Sequence, residues 1–104
     1  MTALYCIAKF KAKKGKHAQM RQALSDLAEP SNKETGCLQY DMVEEMEYEG
    51  QSPEPWDFIF IEKWSNKEDF DIHCMQPYTL QYFQIVAPEL MADYDMHLFQ
   101  PCQL

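Results

Sequence analysis

Hydrophobic and polar residues alternate along four segments of this chain, and alternation with a period of two is typical of half-buried β-strands. The four segments are residues 3–12, 38–43, 56–64 and 93–99. The third is the strongest, and one of its faces carries Phe58, Phe60, Glu62 and Trp64. Ile59 and Ile61 lie on its other face, so both faces of this strand need cover.

Apolar residues recur at helical spacing between the first and second predicted strands. The apolar positions that indicate this helix are Met20, Leu24, Leu27 and Ala28. Pro30 is expected to close the helix or its last turn, because proline lacks the N–H that continues the hydrogen-bond ladder.

The region after the third strand predicts two shorter helices. Ser65 and Glu68 have the spacing of a capping box, in which the serine oxygen accepts from the backbone N–H of the glutamate. Pro77 suits the first turn of a second helix, and Pro88 is expected to kink or split it.

The predicted order is β-α-β-β-α-β, the ferredoxin-like plan of an α+β domain with a four-stranded antiparallel sheet. The chain has 104 residues, enough for a single domain over 1–104. Such a domain covers one sheet face with its helices. Because the other face is also apolar, we expect a homodimer that forms through the sheet faces.

The net charge of −8 disfavours one class of partner. An acidic protein repels phosphate backbones, so no nucleic-acid partner is expected. Six of the nine basic residues lie within the first 21 positions. This cluster has two interpretations, a small anion-binding patch or a solvated strand edge and turn.

No run of about 20 apolar residues suggests a membrane partner, and no signal peptide is visible. The four cysteines are scattered without a CxxC pair, so reduced thiols and a cytoplasmic location are expected. No motif for a flavin, nicotinamide or haem cofactor is present, and the three histidines lack metal-ligand spacing. We therefore expect neither a cofactor nor a metal.

Two segments resemble the antibiotic biosynthesis monooxygenase (ABM) family. The first has Glu62-x-Trp64 on a strand, then a short helix, then His73-x-x-x-Pro77 followed by the aromatic Tyr78. The second is Glu34-Thr-Gly-Cys-x-x-Tyr40, similar to a Glu-x-Gly-Cys-x-x-Tyr segment of the family. The C-terminal residues 98–101 are similar to the ending of bacterial quinol monooxygenases of this family.

The resemblance implies a dimeric α+β barrel with a pocket between each sheet and its helices. Some members oxidise quinols or phenols with O2 and no cofactor, others degrade haem, and a relative isomerises a phosphorylated sugar. Haem-degrading members have an asparagine on the first strand, and residues 3–12 contain none. A cofactor-independent monooxygenase acting on a small aromatic substrate is therefore the favoured interpretation. The alternatives are a non-catalytic small-molecule-binding dimer and an isomerase of a phosphorylated metabolite.

The monooxygenase interpretation assigns roles to particular residues. His73 is the expected base for a phenolic proton, and Glu62, desolvated among aromatics, is a second base or an orienter of His73. The residues expected to bind the substrate are Tyr40, Phe58, Phe60, Trp64, Tyr78, Tyr82 and Phe83. Each role has a structural alternative: a hydrogen-bonded histidine at a helix end, a carboxylate paired with a lysine, or aromatic core packing.

Overall fold

The elements follow the predicted order in the computed structural model, which describes residues 2–103. The strands are β1 (Leu4–Ala12), β2 (Cys37–Val43), β3 (Phe58–Trp64) and β4 (Met91–Phe99). The helices are α1 (His17–Asn32), α2 (Lys67–Cys74), α3 (Pro77–Gln81) and α4 (Ala87–Leu90). A π-helical turn, Tyr82–Val86, joins α3 to α4.

The strands form one antiparallel sheet in the order β2-β3-β1-β4. The two central strands pair from Leu4 opposite Trp64 to Phe10 opposite Phe58. This topology confirms the predicted ferredoxin-like α+β fold. The last strand begins at Met91, two residues before the predicted start.

One face of the sheet, here called the inner face, forms the hydrophobic core with the helices. On both central strands, buried residues alternate with half-buried ones, as the period of two predicted. The buried strand residues join helix residues such as Met20, Leu24 and Phe70 in one cluster. The inner face therefore holds any cavity between sheet and helices.

The opposite face of the sheet, here called the outer face, is apolar at its centre. Its central residues are Tyr5, Ile7, Ile59 and Ile61, all half-buried. Charged residues border them, since Lys9 pairs with Asp95 across β1 and β4.

Pro30 lies in the last turn of the first helix, as predicted, and α1 continues two residues beyond it to Asn32. Two side chains satisfy carbonyls in this last stretch. Ser31 Oγ donates to the Leu27 carbonyl over 2.7 Å, and Asn32 Nδ2 donates to the Ala28 carbonyl over 3.0 Å. These bonds stabilise the last turn of α1, where Pro30 has no backbone N–H to donate.

Pro88 changes the local helix type instead of breaking the helix. The N–H of Ala87 bonds to the carbonyl of Tyr82, five residues earlier. A proline cannot donate to the carbonyl four residues before it, and its ring pushes that carbonyl aside. The wider π-helical turn accommodates this displacement and leaves the chain helical up to Leu90.

The cap of α2 lies one residue later than predicted. Asn66, not Ser65, is the N-cap, and its side chain accepts from the backbone N–H of Asp69 over 2.8 Å. Ser65 Oγ instead donates to the carboxylate of Asp69 over 2.9 Å. An asparagine and a serine are equally good caps by type, so only the tertiary contact distinguishes them.

Gly36 brings the loop before β2 against the first turn of α2. Its carbonyl accepts from Ser65 N over 2.9 Å, and Ser65 Oγ, whose one proton goes to Asp69, lies 3.0 Å from the same carbonyl. A Cβ at this position would collide with the side chain of Asp69. Glycine is therefore required here, and this close approach positions Glu34 beside α2.

Leu38 lies outside the core, although a period of two over residues 38–43 predicts that it shares a face with Tyr40 and Met42. Its side chain is 57% exposed. The register between β2 and β3 shifts between Cys37 and Gln39, so Cys37 takes the position opposite Trp64. A one-residue irregularity of this kind moves a side chain to the other face.

The four cysteines form no disulfide bond in the structure. Across residues 2–103, no helix combines the length and the apolar character that a bilayer crossing requires.

Candidate functional site

His73 and Glu34 form a buried hydrogen-bonded pair. The Nδ1 atom of His73 lies 2.8 Å from Oε2 of Glu34, and the two side chains are 6% and 9% exposed. The Tyr78 hydroxyl donates to the same carboxylate oxygen. An ionised carboxylate only accepts, so the proton of the first bond lies on Nδ1. In the neutral imidazole, Nε2 is then the nitrogen free to accept a proton.

Aromatic rings hold the imidazole of His73 in place. The Trp64 ring lies 4.5 Å from it between centroids, and the Tyr40 ring meets it edge-on at 5.5 Å. Ring packing of this kind limits rotation about the histidine side-chain bonds. The position of Nε2 is therefore set by Glu34 on one side and by packing on the other.

Glu62 is a second buried titratable group, with 3% of the residue exposed. Trp64 Nε1 donates to its Oε1 over 2.9 Å. Burial raises the pKa of the Glu62 carboxyl to about 7, and the negative charge of Glu34 also raises it, while hydrogen bonds from Trp64 and Cys6 act in the opposite direction. This carboxyl can therefore hold or release a proton near neutral pH.

His73 and Glu62 line the same small cavity between the inner face and the helices. The cavity has a volume of about 40 Å³. The other predicted site residues that line it are Tyr40, Phe60 and Phe83. This is enough room for one water molecule, whereas an engineered cavity that takes up benzene has about 150 Å³.

Four predicted substrate-binding residues do not line this cavity. Phe58 packs at the far end of the sheet, 4.7 Å from His17 between ring centroids. Trp64 lies behind the site, where it contacts His73 and bonds Glu62. Tyr78 and Tyr82 line a groove of about 500 Å³ on the other side of α3.

The groove and the cavity share one wall. Leu27 of α1 lines both spaces. Along the helical segment after Pro77, neighbours also divide between them: Tyr78 and Tyr82 face the groove, whereas Thr79 and Phe83 face the cavity. Leu27 is the one described residue that lines both spaces.

Sequence reasoning gave Glu34 no role, although it is the partner of His73. The residue was visible as part of the Glu34-x-Gly-Cys segment, but its pairing spans 39 residues of sequence. The cavity also contains groups that sequence analysis did not select, namely Cys6, Cys74 and Thr79. Burial raises the pKa of the Cys74 thiol to about 11, so it stays protonated at neutral pH.

The cavity lining includes no lysine or arginine. In the part of the chain that the structure describes, no group of three or more His, Cys, Asp or Glu residues could hold a metal ion. The polar side chains that line the cavity are those of histidine, glutamate, threonine, cysteine and tyrosine.

This chain is similar in sequence to a known protein family and to a curated protein. A family model described as antibiotic biosynthesis monooxygenase matches residues 3–84. The uncharacterized protein sll1783 of Synechocystis is 36% identical over 64 residues, which are 62% of this chain and 39% of that protein. The chain thus spans well under half the length of this curated relative.

Solved structures share the fold over nearly the whole chain. Protein SO0527 from Shewanella oneidensis superposes with a TM-score of 0.84 at 28% identity, over 96% of this chain and 91% of that one. A candidate antibiotic biosynthesis monooxygenase from Nitrosomonas europaea superposes with a TM-score of 0.79 at 19% identity, over 96% and 90%. At the latter identity the similarity concerns the fold alone.

Proposed function

We propose, because this chain belongs to the antibiotic biosynthesis monooxygenase family, that it oxidises a quinol or phenolic aromatic with O2 and without a cofactor. The observation that carries the proposal is the buried Glu34–His73 pair beside an aromatic-lined cavity. A base with a fixed tautomer and a dry apolar space are what this chemistry needs from a protein.

His73 takes the first proton in this proposal. A phenolic O–H donates its proton to Nε2, while Glu34 holds the other ring proton on Nδ1 and stabilises the imidazolium that forms. Glu62, whose pKa of about 7 allows both protonation states, is placed to receive or return a second proton at the same cavity. The substrate anion is then electron-rich enough to react with O2.

The oxygen chemistry proceeds through two radicals. The phenolate gives one electron to O2, and the resulting superoxide and substrate radical combine into a carbon–oxygen bond. The hydroperoxide then loses water as its O–O bond breaks and the carbon gives up its proton. For hydroquinone the products are hydroxybenzoquinone and one water, so one atom of O2 enters the ring and the other leaves as water. The aromatic lining keeps the radicals together by excluding bulk water.

An aromatic substrate must widen the cavity before it binds. A volume of about 40 Å³ cannot hold a six-membered ring. Leu27 is the side chain whose displacement would join this space to the groove of about 500 Å³. We propose that substrate arrives through the groove and displaces this shared wall.

Oxygen uptake tests the function directly. The protein is incubated with hydroquinone in air and under nitrogen, and O2 consumption is followed with an electrode. We expect protein-dependent uptake and incorporation of one labelled oxygen atom from ¹⁸O2 into the quinone. Thermal stabilisation by hydroquinone without any O2 uptake would instead indicate the non-catalytic binding protein. An isomerase of a phosphorylated metabolite would need lysine or arginine to bind the phosphate, and the described residues that line the cavity include neither.

A homodimer formed through the outer face is the second part of the proposal. Tyr5, Ile7, Ile59 and Ile61 form an apolar centre that the chain's own helices do not cover, because they pack on the inner face. A two-fold dimer uses the same patch on both subunits, so two copies of this apolar centre would cover each other.

Replacing Ile61 with aspartate is expected to give monomers. A charge at the centre of the outer face would be buried without a partner in the dimer. Light scattering at micromolar concentration should report twice the chain mass for the unmodified protein and the single mass for Ile61→Asp. Ile85→Asp is the matched control, because Ile85 is 65% exposed on the π-helical turn. A monomeric unmodified protein would contradict the dimer.

A further inference from the structure

Thr79 lines the cavity and has a hydroxyl without a partner among the described residues. It lies in the first turn of α3, and only 5% of the residue is exposed. Its Oγ1 atom is buried and makes no hydrogen bond with any residue of the described chain. It lines the same cavity as His73 and Glu62.

The local helix does not account for this hydroxyl. A threonine in a helix usually donates to the carbonyl three or four residues earlier. For Thr79 these carbonyls belong to Gln76 and Met75, before α3 begins. No such bond is made by Thr79 among the described residues. A buried hydroxyl without a partner costs free energy, and valine has the same shape without that cost. The hydroxyl is therefore better explained by what the cavity receives than by what the helix needs.

Three elements bring polar groups to this one space. Glu62 comes from β3, His73 from α2 and Thr79 from α3, and the rest of the lining is mainly aromatic and aliphatic. His73 uses its Nδ1 for Glu34, and Glu62 accepts from Trp64. Thr79 differs from both, because its polar atom has no protein partner in residues 2–103.

We propose that Thr79 hydrogen-bonds the second oxygen of a dihydroxyaromatic substrate, the oxygen that His73 does not deprotonate. This inference rests on the proposed function and deepens it, because it assigns selectivity for diphenols over monophenols to one side chain. A site that offers a hydrogen-bonding group to a substrate hydroxyl disfavours the analogue without that hydroxyl, since the protein group is then left unpaired.

Binding without turnover provides the test. The dissociation constants of hydroquinone and phenol are measured by calorimetry under nitrogen for the unmodified protein, Thr79→Val and Thr79→Ser. We expect Thr79→Val to weaken hydroquinone binding about tenfold and to leave phenol binding unchanged, because a single hydrogen bond is lost only with the diphenol. Thr79→Ser keeps the hydroxyl, so its hydroquinone binding should stay within about twofold of the unmodified value.

The other outcomes separate this inference from the proposed function. Equal changes for the two ligands, no change for either, or no hydroquinone binding by the unmodified protein would overturn the role of Thr79. If the expected selectivity is found but hydroquinone drives no O2 uptake, Thr79 keeps its role and the monooxygenase proposal fails. If O2 uptake occurs and Thr79→Val binds both ligands as tightly as the unmodified protein does, the monooxygenase proposal stands and the role of Thr79 is overturned. A urea unfolding curve for each variant checks that Val and Ser leave the chain folded.

Discussion

Hydroquinone-dependent O2 uptake by a His73→Ala variant is expected to fall by about a hundredfold or more in kcat/KM. Alanine removes the nitrogen that accepts the phenolic proton, and a positioned base commonly contributes about 10²–10⁴-fold to such a step. Glu34→Gln keeps the shape but not the charge of the partner, so it should also lower kcat/KM. Its amide can also hold the imidazole in the wrong tautomer, because it offers a donor where Nδ1 needs an acceptor.

His17→Ala is the control for this experiment. His17 is exposed at the start of α1, where it packs against Phe58, and it belongs neither to the cavity lining nor to the outer face. The variant should retain the activity of the unmodified protein. If His73→Ala is as active as His17→Ala, His73 is a structural histidine and the base must be sought elsewhere.

The stability of a Glu62→Gln variant should depend less on pH than that of the unmodified protein. Burial raises the pKa of Glu62 from 4.5 to about 7 in the folded chain. Between these two values the folded state keeps a proton that the unfolded state has released. Stability therefore falls as pH rises from about 4.5 to about 7, and the loss is complete above this window. Glutamine cannot ionise and still accepts from Trp64, so the variant avoids this loss.

Urea unfolding at about pH 5 and about pH 8 measures the effect. The free energy of unfolding of Glu62→Gln relative to the unmodified protein should rise by about 2–3 kcal/mol between these pH values. Protein concentration is held constant, because a dimer is stabilised by mass action. Glu47→Gln in the exposed loop after β2 is the control and should show no such rise. A constant difference between variant and unmodified protein would mean that Glu62 titrates normally.

The alternation of side chains was sufficient to predict the sheet, because a period of two specifies which residues share a face. The inner residues of β3 are all buried, as expected for Phe58, Phe60, Glu62 and Trp64. The end of α1 near Pro30 and the register of β2 at Leu38 were less predictable, because both depend on contacts that arise only after folding. A side-chain bond to a carbonyl or a shift in strand register leaves no periodic signal.

The candidate site was predictable in its elements but not in its partnerships. The family motifs led to His73 and Glu62, and both line one cavity. The bond from Glu34 to His73 depends on how closely the loop at Gly36 approaches α2, which spacing cannot reveal. Phe58 shares a strand face with Phe60 yet packs beyond the site, because sharing a face does not determine distance along the strand.

Under the proposed function, the shared wall at Leu27 has a consequence for the protein without substrate. With the interior closed, no electron-rich ring can meet O2 there until its own binding opens the way. Superoxide would then form only when substrate is bound. The protein without substrate would release no reactive oxygen species. The side chain of Leu27 alone would then prevent the reduction of O2 in the absence of substrate.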